Sequence, residues 1–260
     1  MNNFLYFPGC TLSTTAKKLD EYAKKSAEVL GFTLTEVDEW QCCGAIYPSR
    51  DETAKKLSAV RVLIKAQNAG LPLVTLCSAC FHIFKQVNFE YNNSDLPTVI
   101  RTYDPDLNYG GKTKILHYIE VIRDVIGFDS VKEKITNPIK GKIGAYYGCM
   151  LLRPSEVMEF DDPENPSILE DFLRVIGAEP VNYSYRNECC GSFHSIKNPE
   201  NVKNQCKAIM NNAIKKEATE LITACPLCEY NLNNFSSNGV KITYFTELLA
   251  QALGIGGMSE

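Results

Sequence analysis

Short apolar runs alternate with longer amphipathic stretches along the chain, and the whole alternation occurs twice. Residues 3 to 7 read as a short buried strand, after which Leu19, Tyr22, Ala23, Ala27 and Leu30 recur at helical spacing up to Gly31. A strand over residues 33 to 37 follows, then a turn, then a helix from about residue 51 with Leu57, Val60 and Ile64 on one face, ending at Gly70. The apolar run at 73 to 76 predicts another buried strand. The second half predicts a helix over 167 to 176, a strand over 181 to 184, a helix over 201 to 218 and a strand over 221 to 224. Each half closes on a similar amphipathic helix, from His117 to Gly127 and from Tyr244 to Gly254. This βα order predicts an α/β fold of two tandem pseudosymmetric domains, each a small, mostly parallel sheet flanked by helices. The expected domains are residues 1–130 and 139–260, joined by the polar stretch 129 to 141 and facing each other across a pseudo-twofold axis.

At 260 residues, 45% hydrophobic and 22% charged, the chain is long enough to bury a core without covalent staples. A net charge of -4 and a pI near 5.6 argue against a nucleic-acid footprint. No apolar stretch approaches the roughly 18 residues needed to span a bilayer, and no signal-like segment opens the chain. A cytoplasmic protein without direct membrane insertion is expected.

Cysteine changes the picture, because there are 11 of them. The count is odd and the chain is too large to need a disulfide framework, so metal ligation is the leading explanation. Ten fall into two matching sets: Cys10, then Cys42-Cys43-Gly44, then Cys77 and Cys80 as CxxC; and Cys149, then Cys189-Cys190-Gly191, then Cys225 and Cys228 as CxxC. The apolar residues before Cys10 and Cys149 also match, as do those before Cys77 and Cys225. The second repeat is eight residues longer between its first cysteine and its CCG, with the insertion placed at 158 to 166. Cys206 has no counterpart and is expected to be a small buried hydrophobe.

In each half the first cysteine and the CxxC directly follow predicted strands, at the sheet edge where α/β folds bind ligands. All five thiols are therefore expected to converge on one crevice. The i to i+3 spacing places both CxxC sulfurs on one helix face, and the helix N-terminus is expected to favour thiolate. Adjacent cysteines at a CCG turn reach different atoms of one region. A structural zinc or a cubane [4Fe-4S] cluster takes four cysteines, so five suit a larger or more open iron–sulfur assembly. Thiolate-only ligation leaves zinc as the alternative.

At these residues the sequence resembles the CCG-domain family of cysteine-rich proteins, and within it the B subunits of heterodisulfide reductases. The resemblance covers essentially the whole chain and includes Thr75-Leu76-Cys77-Ser78-Ala79-Cys80-Phe81. It implies two noncubane [4Fe-4S] clusters, one held by Cys10, Cys42, Cys43, Cys77 and Cys80, the other by Cys149, Cys189, Cys190, Cys225 and Cys228. It further implies reduction of a disulfide, in the family that of coenzyme M and coenzyme B, to two thiols between the clusters, a step of methanogenesis. The chain has no cubane ferredoxin motif and no flavin fingerprint, so electrons must come from elsewhere. The partners that the resemblance implies are a small ferredoxin-like subunit and, beside it, a flavin-bearing one. An apolar patch near one cluster is expected to receive a partner. An electron-relay subunit of a quinone- or fumarate-linked complex is the alternative.

His194, four residues past Cys190, is a candidate proton donor to a leaving thiolate, though a loop-ordering hydrogen bond is the simpler role. His82 is expected in packing or at the surface, and His117, aligned with Tyr244, in packing. Trp40 is a candidate shield. Arg50, Lys85, Arg153, Arg186 and Lys197 are candidates for binding the acidic groups of a coenzyme-like thiol, with a solvated charge as the commoner fate.

Overall fold

The computed structural model describes residues 2–46, 51–235 and 239–255. In the first half β1 (Asn2–Phe7), α1 (Lys17–Leu30), β2 (Phe32–Glu36), α2 (Glu52–Ala69), β3 (Leu73–Thr75), α3 (Ser78–Asn93), α4 (Leu96–Tyr103) and β4 (Ile115–His117) lead into α5 (Tyr118–Glu120), a π-type stretch Val121–Gly127, and α6 (Phe128–Lys134). The second half runs β5 (Lys142–Tyr146), α7 (Ser155–Met158), α8 (Ile168–Val175), β6 (Glu179–Val181), α9 (Pro199–Ile214), β7 (Glu220–Thr223), α10 (Pro226–Phe235), β8 (Lys241–Tyr244) and α11 (Phe245–Ala252). Two four-stranded sheets result, ordered β2-β1-β3-β4 and β6-β5-β7-β8.

Every strand pair among the described residues is parallel, with Leu5 opposite Leu73 and Gly144 opposite Leu221 in the central pairs. Parallel pairing requires helical crossovers that cover the sheet, which is why the central strands read as unbroken apolar runs. It also brings the C-terminal ends of β1 and β3, and of β5 and β7, to one edge of each sheet. The tandem α/β architecture expected from the pattern is the one found.

The edges differ from the sequence reading. β4 and β8 escape it because strands of three and four residues carry too little periodicity to separate from the helices they open. The strand expected at 181 to 184 ends at Val181. Beyond it the Arg186 carbonyl turns back to accept from Tyr147 N (2.8 Å) and Gly148 N (3.2 Å). The stretch read as a linker opens with α6, whose Val131 is buried, and is tied to the second half by Thr136 N and Asn137 N donating to the Ala252 carbonyl.

The halves interlock. α11 packs on α1, with Thr246 Oγ1 donating to the Leu19 carbonyl at 3.1 Å, while α6 packs on α8. The last helix of each half thus packs on a helix of the other half. The insertion at 158 to 166 is not a solvated loop: Phe160 is buried edge-on against Phe81 and His117 of the first half, and Asp161 caps α8 by accepting from Ser167 N and Ile168 N.

Glu120 is buried in this seam, where its carboxylate accepts from His117 N at 2.7 Å. Burial pushes its pKa up from 4.5 to about 7, against the pull of Arg123 and Lys85. A carboxyl whose folded-state pKa is raised stabilises the fold below its unfolded value and loses that contribution as pH rises through the window from 4.5 to about 7. Glu120→Gln keeps an acceptor without the charge. In urea titrations it should be more stable than wild type at pH 8 by about 1–2 kcal/mol, and equal to it near pH 4. Equal stability at both pH values would remove Glu120 as a source of pH dependence.

Candidate metal centre

Cys10 and Cys149 lie in the turns that follow β1 and β5, and Cys77 and Cys225 lie between β3 and α3 and between β7 and α10. One helical turn on, Cys80 and Cys228 point the same way. The CCG turns supply the remaining thiols, with Gly44 (φ +87) and Gly191 (φ +81) in the left-handed conformation that reverses the chain. In the first half Cys42 contacts Cys10 at 3.9 Å and Cys43 contacts Cys80 at 3.3 Å. In the second half Cys189 pairs with Cys149, and Cys190 contacts Cys228 at 3.4 Å. The two adjacent cysteines of each CCG therefore reach different partners, by the same connectivity in both halves. All eleven cysteines are free thiols.

Each set surrounds one recess. Cys10, Cys42, Cys43, Cys77 and Cys80 line the first with Leu12, Ile46 and Leu227. Cys149, Cys189, Cys190, Cys225 and Cys228 line the second with Met150, Phe193 and, again, Leu227. Gly9 and Gly148 keep these spaces open: a Cβ would come 3.1 Å from Cys80 Sγ and 3.3 Å from Cys228 Sγ, and both residues have positive φ.

The donor set is soft sulfur without a charged side chain among the described lining residues. Among the described residues no group of three or more His, Cys, Asp or Glu side chains is arranged to hold a single metal ion. Five thiols around each recess are one more than a tetrahedral ion takes, and they fit a multinuclear iron–sulfur group.

Thiol–thiol hydrogen bonds split the acidities. Cys43 is lowered to about 4 by bonds from Cys42 and Cys80, and Cys189 to about 6 by its bond from Cys149, the Gly191 amide and nearby His194. Cys77 departs from the thiolate expected at a helix start. The neighbouring Cys225 thiol, together with burial, raises Cys77, while Cys225 is lowered first by Cys228 and then by Cys77. Two buried sulfurs in contact do not both ionise.

Residues 4–85 and 143–233 match the cysteine-rich domain, CCG, family. The chain belongs to that family. It is 29% identical to the 8-methylmenaquinol:fumarate reductase membrane anchor subunit of Wolinella succinogenes, over 97% of this chain and 92% of that protein. It is 22% identical to the B subunit of the ferredoxin/F420H2-dependent CoB-CoM heterodisulfide reductase of Methanosarcina acetivorans, over 95% and 88%. A protein of Archaeoglobus profundus described as like the heterodisulfide reductase B subunit is 28% identical over 88% and 80%. The fold is shared with a crystal structure of a hypothetical protein from Helicobacter pylori, at a TM-score of 0.70 and 14% identity over 98% of this chain. This CCG chain spans 50% of that one. Among its described residues no helix is long and apolar enough to cross a membrane.

The other candidates of the CCG chain are placed less centrally. His194 ends a short 3-10 turn, exposed, near enough to lower Cys189 but not lining the recess. His82 is half-buried against the Met150 backbone, and burial lowers its pKa. Trp40 packs edge-on against Phe7 and donates to Glu36 rather than facing the thiols. Arg186 is buried in an ion pair with Glu170, Arg153 holds Asn187, Pro163 and Glu164, and Lys85 pairs with Glu159. Lys197 is exposed, and Arg50 lies outside the described residues. Cys206 is fully buried under the second CCG turn, its thiol 3.6 Å from the Cys190 carbonyl. Sequence reasoning missed the apolar lips. Ile46 and Phe193 occupy equivalent places three residues past Cys43 and Cys190, a match visible once the repeats are aligned, and both are exposed.

Proposed function

We propose that each of two CCG domains, residues 1–130 and 139–260, holds a noncubane [4Fe-4S] cluster on its five cysteines, and that the chain is the iron–sulfur subunit of a heterodisulfide reductase-like complex. In this reading it reduces a disulfide to two thiols, taking two electrons and two protons per bond broken. Electrons come from a small ferredoxin-like partner, with a flavin-bearing partner behind it. The observation that carries the reading is the convergence of two complete thiol quintets on two recesses that share Leu227 as a wall.

A cluster at each nest would supply one electron and a sulfur-binding metal face. The chain's own residues do the rest. Gly9 and Gly148 leave room above the thiols, while Ile46, Phe193 and Leu227 exclude water at the mouths. The exposed side chains of Phe193 and Ile196 form the apolar patch on which the electron-supplying partner docks. His194 relays a proton from solvent to the leaving thiolate. Its replacement by Asn should lower turnover about 10-fold with iron content unchanged, and an unchanged rate removes it from the proton path.

Anaerobic purification with iron and sulfide counts, visible absorption, and reduction of candidate disulfides by reduced viologen test the proposal. Bound zinc without iron, or iron without disulfide cleavage, sinks the catalytic reading. The second outcome is expected of an electron relay in a quinone- or fumarate-linked complex. The Wolinella relative and the absence of charge among the described lining residues favour that reading.

A further inference from the structure

The carbonyls of Leu76 and Ala224 immediately precede Cys77 and Cys225 and meet in the seam between the two sheets. Their hydrogen bonds are not equivalent. Ser78, which opens α3, donates both its amide (3.2 Å) and its hydroxyl (2.8 Å) to the Ala224 carbonyl. Its counterpart Pro226 has no amide, so the mirror-image bond to the Leu76 carbonyl cannot form. Two side chains take its place. His117 Nε2 lies 2.7 Å from the Leu76 carbonyl, and the Tyr244 hydroxyl lies 2.6 Å from Leu76 O and 2.9 Å from Ala224 O.

His117 and Tyr244 are the last residues of β4 and β8, and neither is exposed. His117 Nδ1 accepts from Ile119 N, which leaves Nε2 as the donor, and burial holds the ring neutral with a pKa lowered to about 4. Cys77 and Cys225 follow directly on the two carbonyls, so the backbone that carries one thiol is tied to the backbone that carries the other.

We infer that His117 and Tyr244 are positioning residues that clasp the Leu76 and Ala224 carbonyls and so fix the backbone at Cys77 relative to that at Cys225, making the two thiol nests one two-centre unit of fixed spacing. This rests on the reading that each nest holds an iron–sulfur centre. The clasp lies behind the thiols and away from both mouths, so its effect is on the relation between the centres and not on ligation itself. Hydrogen bonding around cluster sulfurs is one of the quantities that set reduction potential.

The test uses anaerobically purified full-length protein, reduced by one electron and followed by electron paramagnetic resonance and potentiometric titration. Tyr244→Phe keeps the ring and removes the hydroxyl. It should retain wild-type iron and sulfide, yet shift the sharing of one electron between the two centres by about 5-fold and change their magnetic interaction. His117→Phe should act in the same way, and His117→Gln, which keeps a side-chain donor, should restore part of the effect. Full iron with unchanged sharing and interaction in both Phe variants overturns the inference. If both variants lose iron, amide exchange at Ser78 decides: faster exchange supports the clasp and wild-type protection overturns it. Wild-type protein without iron would defeat the reading of the nests, while the Ser78 measurement would still test the clasp.

Discussion

Replacing Cys80 by Ser is expected to remove about half of the iron and sulfide from the anaerobically purified protein and to lower disulfide reduction by at least about 100-fold. Cys80 is buried on the first turn of α3, in contact with Cys43 and facing the cavity that Gly9 keeps open. A serine hydroxyl there is a harder and less readily ionised donor, and the recess has no charged residue among its described lining to substitute for the lost thiolate. Cys228→Ser should do the same to the other nest, since it meets Cys190 in the equivalent contact. On the proposed assignment of each quintet to its own centre, each single variant should lose about half of the metal, while activity should fall further than metal because one disulfide needs both electrons. Cys206→Ser is the control. Its thiol is buried behind the second CCG turn and lines neither recess, so metal content should not change. Equal iron loss in Cys206→Ser, or full iron in Cys80→Ser, would break the assignment of five ligands per centre.

The parts of this molecule that depend on local pattern were legible in its sequence. Apolar runs such as Phe4 to Phe7 mark strands buried on both faces, and the doubled cysteine spacing marks two copies of one architecture. What was not legible depends on partners distant in sequence. Arg186 looks, beside Cys189, like a group free to bind an acidic substrate. Its actual partner is Glu170 on α8, brought in by the fold. His117 and Tyr244 align between the repeats, but both reach the Leu76 carbonyl, for Tyr244 across the seam at a sequence separation of 168 residues. The insertion around Phe160 looks like a polar loop because its acidic residues outnumber the one aromatic ring that anchors it.

Arg186→Met should destabilise the protein by about 3–5 kcal/mol in urea titration and release metal from the second nest before the first. The guanidinium and the Glu170 carboxylate are both nearly inaccessible, at 7% and 5%, and meet at 3.0 Å. A second guanidinium nitrogen donates to Asn165. Methionine fills much of the same volume but leaves the carboxylate buried, with the Tyr147 hydroxyl still donating to it. An uncompensated charge there costs far more than the methylene packing that is kept. The damage is also local to the second thiol nest. Tyr147 N and Gly148 N donate to the Arg186 carbonyl, and this turn carries Cys149 into the recess. Loosening it displaces one of the five thiols without touching the first repeat. Substituting both partners, as Arg186→Met with Glu170→Leu, removes the stranded charge and should recover most of the stability, because a buried ion pair is often replaceable by well-packed apolar side chains. If the double variant is no more stable than Arg186→Met alone, the loss arises from packing or from the Asn165 bond and not from the unpaired carboxylate.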